Sequence, residues 1–525
     1  MAETTSAPVA IIGAGLGGLA TALRLASRGI PVEVFERAAT PGGKMRTLPT
    51  PAGPVDAGPT VLTMRWVFDA LFAQAGTRLQ DHLTLTQDPL IARHYWPDGA
   101  CLDLHADPSA SRHAVKAFAG AKGLADYDRF CARTQALLSA FDAPVIRSPR
   151  PDVAGILRAT FGPGRAALPY LMPWATLARA LDGTFSDPRL AQLFGRYATY
   201  VGGDPKLSPA VLSLIWQSEA AGVWSIKGGL YRLAEVLADL AAEAGARFHY
   251  NTHVAAITTQ GRTATGVQLQ DGTRLPASQV VFNGDPQALA QGFLGPDVCG
   301  AVRASGHKDR SLSAYVWSFA AKPSGVPLGH HTVFFGQDQR SEFDPIARGQ
   351  MAQDPTLYIC AQDHGHPSSD GLERFEIILN ASPSGSTSAQ PDEARLCQTC
   401  TFQTLAKRGL TFAPEPQTDA LTTPSKFATL FPGSDGSLYG RSPHGMMASF
   451  LRPTAQSRIK GLVLAGGGVH PGAGIPMATL SGQHAAETIL RARTSTSRSP
   501  KTAMPGGMST ASQTMAPAPS RSSAS

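Results

Sequence analysis

The feature that most constrains the fold is a glycine-rich turn between an apolar strand and a helix near the N-terminus. Val9–Ile12 is predicted to be a strand and residues 16–27 a helix, and Gly13, Gly15 and Gly18 follow the spacing GxGxxG between and within them. The first glycine permits the tight turn, the second lets the backbone approach a pyrophosphate, and the third allows close helix–strand packing. The helix amides would then face the anion. This pattern predicts an α/β, Rossmann-like dinucleotide-binding domain.

An acidic residue supports the same interpretation. Glu36 ends the second predicted strand, residues 32–36, close to the separation of ~20 residues from the glycines that is expected for a carboxylate binding a ribose. An arginine in its place would have favoured a 2′-phosphate, whereas here Arg37 follows the acid. Both NAD and FAD are compatible with this unit alone.

A second glycine turn favours FAD. Gly42 and Gly43 follow Glu36 closely, and Lys44 and Arg46 can add positive charge near phosphates or a flavin. A simple NAD domain needs no such turn. Far along the chain, a strand at 461–465 leads into a glycine run, and a helix starting near Met477 would direct its dipole at a flavin carbonyl that becomes negative on reduction. FAD is therefore the predicted cofactor, bound by both ends of the chain.

The rest of the chain divides into a helical region and a second sheet. Apolar residues recur at helical spacing over 109–214, which is explained either by core packing or by a surface that faces lipid. Strand-like runs over 311–450, with one helix, predict an antiparallel sheet that walls a substrate chamber. The predicted segments are 1–108, 223–295 and 456–493 for the FAD-binding domain, 109–222 for a helical substrate or membrane-facing region, 296–455 for the substrate domain, and 494–525 for a disordered tail.

Composition excludes several classes of protein. The net charge is +7, yet no basic run is interleaved with aromatics, so a membrane surface is a better expected partner than nucleic acid. The N-terminus lacks the pattern of a signal peptide, and no apolar run reaches the ~18 residues that a spanning helix needs. We therefore expect a peripheral protein on the cytoplasmic side of a membrane. Cys397 and Cys400 lie in a predicted helix without a second pair or a histidine cluster, so no metal site is predicted.

Several motifs resemble those of the carotenoid desaturases of the bacterial phytoene-desaturase type, within the amine-oxidase-like flavoproteins. The resemblance extends from the first strand to about residue 490. The most specific motif is the run from Gly466 to Pro476, GGGVHPGAGIP. The other matching stretches are 9–18, 36–46, Asp56-Ala57-Gly58-Pro59-Thr60, 201–205, 222–224, Lys227-Gly228-Gly229, Asn283-Gly284-Asp285 and 431–434.

Within that family, two stretches are most similar to the hydroxyneurosporene desaturases of purple phototrophic bacteria. These are Trp224-Ser225-Ile226-Lys227-Gly228-Gly229 and Leu464-Ala465-Gly466-Gly467-Gly468. The resemblance implies FAD-dependent 3,4-desaturation of a long, apolar 1-hydroxycarotenoid. Phytoene desaturation, a redox-neutral carotenoid isomerase or lipid escort, and an amine-type flavin oxidase are the alternatives.

The glycine turns and the resemblance together nominate the site residues. His470 is the candidate catalytic residue, and its alternative role is a histidine that binds backbone in a tight loop; Asp204 and Lys227 are similar candidates. The predicted cofactor contacts are Gly13, Gly15, Gly18, Glu36, Arg37, Gly43, Lys44, Met45, Val254, Asp285, Gly467, Gly468, Ile475, Pro476 and Met477.

Overall fold

The computed structural model describes residues 7–162, 165–171, 174–306, 309–364, 370–383, 392–445 and 447–497. The predicted tail lies outside these residues except for 494–497, which continue the last helix. The strands are β1 Val9–Ile12, β2 Val32–Phe35, β3 Thr47–Leu48, β4 Val55–Asp56, β5 Leu85–Gln87, β6 Leu90–Tyr95, β7 Cys101–His105, β8 Trp224–Ile226, β9 Arg247–His249, β10 Val254–Gln260, β11 Thr263–Leu269, β12 Arg274–Pro276, β13 Gln279–Phe282, β14 Ser313–Gly325, β15 His331–Phe334, β16 Leu357–Ala361, β17 Glu373–Ala381, β18 Leu410–Ala413, β19 Leu421–Thr422 and β20 Leu462–Leu464.

The α-helices alternate with these strands and with short 3-10 turns. They are α1 Leu16–Ala26, α2 Trp66–Gln74, α3 Leu79–His82, α4 Pro108–Phe141, α5 Val153–Phe161, α6 Leu177–Asp182, α7 Pro188–Gly195, α8 Ile215–Ala220, α9 Arg232–Glu243, α10 Pro286–Ala290, α11 Gln339–Ala347, α12 Glu393–Lys407, α13 Pro424–Leu430 and α14 Ile475–Ser497.

A parallel sheet carries the predicted dinucleotide-binding unit. Its strand order is β20-β13-β1-β2-β9, and every neighbouring pair is parallel. The first strand reads as continuous apolar residues because helices cover the sheet, and α1, α9 and α14 form one hydrophobic cluster with it. The carboxyl ends of β1, β2, β13 and β20 lie side by side. The first glycine turn, Glu36, Asn283 and Gly466 therefore share the edge at which α/β sheets bind ligands.

The predicted antiparallel sheet is also present, and it is larger than expected. Its order is β18-β14-β17-β16-β15-β6-β7, with β19 paired to β14, and only the pair β15–β6 is parallel. β6 and β7 come from the predicted segment 1–108, so that segment contributes strands to both sheets. One face packs against α12 around Trp317, Phe375 and Ile377. The opposite face, here called the inner face, carries Tyr358 and Ile378.

Two helices between residues 311 and 450 were missed by the sequence analysis. That region was predicted to contain one helix, α12, but α11 and α13 also form there. Each contains a proline that looks like a helix breaker in the sequence. Pro345 lies inside α11, and Pro424 is the first residue of α13, where a missing amide costs nothing.

Most of residues 109–214 are helical where the structure describes them. Helices α4 to α8 are here called the helical cap, and α4, α6, α7 and α8 pack on the β6–β7 end of the antiparallel sheet around Phe130, Phe194 and Trp216. Gly120 interrupts α4 with a φ of 70°. Among the described residues, no helix combines the length and the apolar character needed to cross a bilayer.

Glu342 of α11 gives this fold a testable pH dependence. It is buried and accepts hydrogen bonds from the Thr356 hydroxyl at 2.6 Å and the Asn380 amide at 2.8 Å. Burial raises the pKa of Glu342 from 4.5 to about 7. In the unfolded chain this carboxyl ionises near its ordinary pKa. Its contribution to stability is therefore complete at low pH and is lost as the pH rises towards 7.

The Glu342→Gln variant carries a neutral amide at every pH. Between pH 5 and pH 8, the free energy of unfolding of the wild type should therefore fall by about 2–3 kcal/mol more than that of the variant. Urea denaturation at the two pH values measures this difference. Glu243→Gln, at an exposed position, is the control and should follow the wild type. Equal pH dependence in Glu342→Gln and wild type would contradict the prediction.

Candidate functional site

The first glycine turn has the geometry that a pyrophosphate needs. The Gly13 amide donates to the carbonyl of Phe35 at 2.8 Å, and Gly13 has a φ of 96°. Gly15 is the N-cap of α1 and no side chain caps the helix there, so its first amides can bind an anion. A Cβ at Gly18 would lie 2.2 Å from the Gly13 carbonyl oxygen. The turn is thus tight enough to require glycine and open towards a phosphate.

The second glycine turn packs directly on the first. The Gly42 amide donates to the Ala14 carbonyl at 2.8 Å, and a Cβ at Gly43 would lie 3.1 Å from the Gly15 Cα. Met45 is buried beside this turn. Backbone from two separate segments therefore forms one continuous surface, as expected beneath an extended dinucleotide.

Glu36 lies where a ribose-binding carboxylate is expected. It is buried at the end of β2, and its carboxylate accepts the amides of Ala14 at 2.7 Å and Ala38 at 2.8 Å. Arg37 is directed elsewhere, because its guanidinium donates to the carbonyls of Thr429 and Leu430 at the end of α13. Val254 is buried at the start of β10, in the same apolar cluster as Phe35 of β2.

The C-terminal glycine run meets the first turn. A Cβ at Gly17 would lie 2.5 Å from the amide nitrogen of Gly466, which itself donates to the Ser481 hydroxyl at 2.7 Å. Asn283, which the sequence analysis quoted only as part of a motif, joins the two because its amide donates to the Gly13 carbonyl at 3.0 Å and its oxygen faces Gly466. An apolar strand ending in Asn283 could have indicated this position.

The remaining residues of the C-terminal run surround the start of α14. Gly467 accepts a hydrogen bond from Arg452 at 3.0 Å, and Gly468 packs on Pro286. The helix begins at Ile475, two residues before the predicted Met477. Ile475 and Pro476 are buried and Met477 is half-buried.

Positive charge is concentrated beside Asp285. Arg310 donates to both oxygens of this carboxylate and to the Ser434 carbonyl, and both side chains of the pair are buried. Lys44 donates to the Leu438 carbonyl, and burial, partly offset by Asp285, lowers the pKa of Lys44 to about 8. Burial lowers the pKa of Arg452 to about 10. The group suits a phosphate or a ring that becomes negative on reduction.

His470 is fixed by its neighbours. The ring is 1 % exposed, its Nε2 lies 2.8 Å from the Ser148 carbonyl at the edge of the helical cap, and its amide donates to the Pro453 carbonyl. Burial lowers the pKa of His470. This geometry favours the alternative of a backbone-binding histidine over a free acid or base.

The other candidate residues lie in local turns. The Asp204 amide donates to the His444 ring at 2.9 Å, and the Asp204 carboxylate accepts the Lys206 amide. The Lys227 side chain is exposed. Cys397 and Cys400 are free thiols on α12. Among the described residues, the side chains that come together like metal ligands are those of His330, His331 and Cys360.

Comparison with known proteins identifies the family. The model of the family "Flavin containing amine oxidoreductase" matches residues 16–307. The chain belongs to the flavin-containing amine oxidoreductases. The FAD prediction is thereby confirmed, and the paired glycine turns, the uncapped start of α1 and the cation group all fit this cofactor.

Three relatives within this flavoprotein family are hydroxyneurosporene desaturases. The chain is 54% identical to that of Cereibacter sphaeroides and 50% identical to that of Rhodobacter capsulatus, over 93% of this chain and 99% of each relative. It is 44% identical to that of Rubrivivax gelatinosus, over 96% of this chain and 97% of the relative.

Solved structures agree with this flavoprotein fold. Putrescine oxidase bound to putrescine has a TM-score of 0.58 at 13% identity, over 93% of this chain and 99% of that one. Cyclohexylamine oxidase from Brevibacterium oxydans has a TM-score of 0.55 at 18% identity, over 93% of this chain and 100% of that one. At these identities the likeness shows the fold alone.

Proposed function

We propose that this flavoprotein is a carotenoid desaturase that introduces a C-3,4 double bond into a 1-hydroxycarotenoid. The observation that carries the proposal is identity of 44–54% to three hydroxyneurosporene desaturases over almost their whole lengths. A zeta-carotene-forming phytoene desaturase of Myxococcus xanthus is only 29% identical, which favours the hydroxylated substrate over phytoene.

In this proposal the carboxyl edge of the parallel sheet would hold FAD. The amides at the start of α1 would bind its pyrophosphate, and Glu36 would bind its ribose. Lys44 and Asp285, together with Gly467, Gly468 and the start of α14, would hold the flavin end. When bound there, FAD supplies the acceptor for the hydride that desaturation removes.

The chain's own contribution is to hold the polyene and exclude water. In this proposal the polyene lies between the inner face, the glycine turns and the helical cap, in a space here called the chamber. Five partly exposed side chains are assigned to its wall: Thr60, Tyr200, Tyr358, Ile378 and Tyr439. Positioning a C–H bond in such a space provides much of the rate enhancement. His470 links the C-terminal run to the helical cap through its contact with Ser148.

Anaerobic mixing of the purified, FAD-loaded enzyme with a 1-hydroxycarotenoid tests the function. We expect the flavin absorbance to bleach and the product to lack two hydrogens by mass spectrometry. A redox-neutral isomerase would leave the flavin oxidised, and an amine oxidase would be bleached by amines instead. Either result would overturn the proposal.

We propose in addition that α5 docks the enzyme on the membrane that holds its substrate. Val153, Leu157 and Phe161 recur every four residues and are 59%, 51% and 70% exposed. An apolar stripe so exposed on one helix face suits the interface of a bilayer, and the exposed Arg158 and Arg165 suit anionic headgroups. A peripheral position on the membrane follows from this proposal, and we place it on the cytoplasmic side, where the surface is negatively charged.

Replacing Val153, Leu157 and Phe161 together by serine should release the enzyme from vesicles. Burial of each side chain in lipid contributes about 1.5–3 kcal/mol, so the bound fraction should fall by roughly tenfold or more. Flotation with phosphatidylglycerol-containing liposomes measures this loss, and thermal denaturation checks the fold. Leu396→Ser on α12 is the control, because Leu396 is 49% exposed and lies outside the stripe. Flotation of the triple variant at the wild-type level would contradict the proposal.

A further inference from the structure

A phenol on the inner face lies close to the segment that follows the second glycine turn. Tyr358 lies on β16, an interior strand, and its side chain is partly exposed on the face that we assign to the chamber. Its hydroxyl donates to the Thr60 hydroxyl at 2.8 Å. Thr60 follows Gly58, where a Cβ would lie 2.1 Å from the Lys44 carbonyl oxygen. Tyr358 is therefore one hydrogen bond away from the segment that packs on the second glycine turn.

The same phenol is held from behind by a buried imidazole. The Nδ1 of His331 lies 2.7 Å from the Tyr358 oxygen, and its Nε2 lies 3.9 Å from Asp88. Asp88 in turn accepts from the Ser225 hydroxyl at 2.6 Å. The phenol has one proton and donates it to Thr60, so the Nδ1–H of His331 is the donor to the phenol oxygen. That oxygen can accept a further hydrogen bond from a group in the chamber.

The phenol of Tyr358 is neutral. The ordinary pKa of a phenol is about 10, so Tyr358 keeps its proton at neutral pH. A neutral hydrogen-bonding oxygen suits an uncharged hydroxyl better than an ammonium or a carboxylate. Ile378, the cross-strand partner of Tyr358, leaves the adjacent surface apolar.

The proposed reaction puts the substrate hydroxyl close to the flavin. In a 1-hydroxycarotenoid, a single methylene separates the carbon bearing the oxygen from the C-3–C-4 bond. The hydroxyl must therefore bind beside the reacting carbons rather than at the far end of the chamber. A hydrogen bond donated by this hydroxyl to the enzyme would fix these carbons in position as well as select the substrate.

We propose that Tyr358, held by Thr60 and His331, is the subsite that binds the hydroxyl group of the substrate. The proposal rests on the desaturase function above. It assigns specificity to one phenol oxygen, which distinguishes a hydroxylated polyene from the same polyene without the hydroxyl.

Tyr358→Phe removes that oxygen and keeps the ring. We expect kcat/KM for the 1-hydroxycarotenoid to fall by roughly 10- to 100-fold, while kcat/KM for the deoxy polyene changes by no more than about twofold. Anaerobic flavin reduction by each polyene measures both values, with bound FAD and thermal stability checked first. Tyr315→Phe is the matched control, because its hydroxyl donates to Glu393 on the opposite face of the same sheet.

The outcomes separate the two proposals. An equal fall for both polyenes, or an unchanged preference, would overturn the subsite and leave the desaturase function standing. Failure of the wild type to reduce flavin with either polyene would overturn the function and the subsite with it. If Tyr358→Phe does not retain FAD, Thr60→Val provides the same test. This variant removes the hydroxyl that accepts the Tyr358 hydrogen bond, so it should also lower the preference for the hydroxylated substrate.

Discussion

The Gly17→Ala variant is expected to lose FAD almost completely. A Cβ at this position would lie 2.5 Å from the Gly466 nitrogen and 2.7 Å from the Asn283 side-chain oxygen. The Gly466 amide cannot move away cheaply, because it is hydrogen-bonded to Ser481. Separating α1 from the C-terminal run should lower the free energy of unfolding by about 1–3 kcal/mol. It should also open the surface that two segments form together.

The measurement is FAD bound per chain after purification, followed by titration with free FAD. We expect a loss of occupancy of about tenfold or more. Gly300→Ala is the control, because a Cβ there meets no atom within 4 Å. Full occupancy in Gly17→Ala would show that the close approach of the two chain ends is not needed for the cofactor.

The dinucleotide-binding unit was predictable because its signals are local. The apolar run of β1, the glycines and the helix that follows lie within twenty residues, and each glycine has one conformational or steric reason to be there. The antiparallel sheet was predictable as a class from its repeated strand-like runs. The order of strands in either sheet was not predictable. In the parallel sheet, β13 pairs with β1 and β20 pairs with β13, although both lie hundreds of residues from β1 in the sequence.

The polar side chains that organise the site were harder to find. Asn283, Arg310 and Tyr358 each bind partners that are distant in sequence, and a lone polar residue in or after a strand has no period to reveal it. His331 carries the same difficulty, because a histidine at the start of a strand is common. Only the packing of the inner face against the segment around Thr60 brings these groups together.

Three site predictions illustrate what a motif leaves open. Glu36 and Lys44 lie at the glycine turns, and they remain predicted cofactor contacts. Arg37 occupies the next position along the chain from Glu36, yet its side chain follows the alternation of an extended backbone and reaches α13 instead. A motif therefore fixes the path of the backbone more firmly than the direction of each side chain.

The buried pair of Asp285 and Arg310 provides the second large expected effect. Their side chains are 7% and 2% exposed, and Lys44 and Arg452 lie close enough for Asp285 to influence the pKa of each. Asp285→Asn keeps the side-chain oxygen that caps α10 but removes the negative charge. Among the described residues, Asp285 is the only carboxylate that is hydrogen-bonded to Arg310. We expect the free energy of unfolding to fall by about 3–5 kcal/mol.

Chemical denaturation at neutral pH measures this loss against Asp81→Asn, which breaks an exposed pair with Arg78 and should change the free energy of unfolding very little. The double variant Asp285→Asn/Arg310→Met removes the unpaired charge as well. It should therefore be more stable than Asp285→Asn alone, with a coupling energy of about 1–3 kcal/mol. A single variant that costs no more than Asp81→Asn would mean that water reaches Arg310, and that the cation group beside the flavin end is solvated rather than held in place by Asp285.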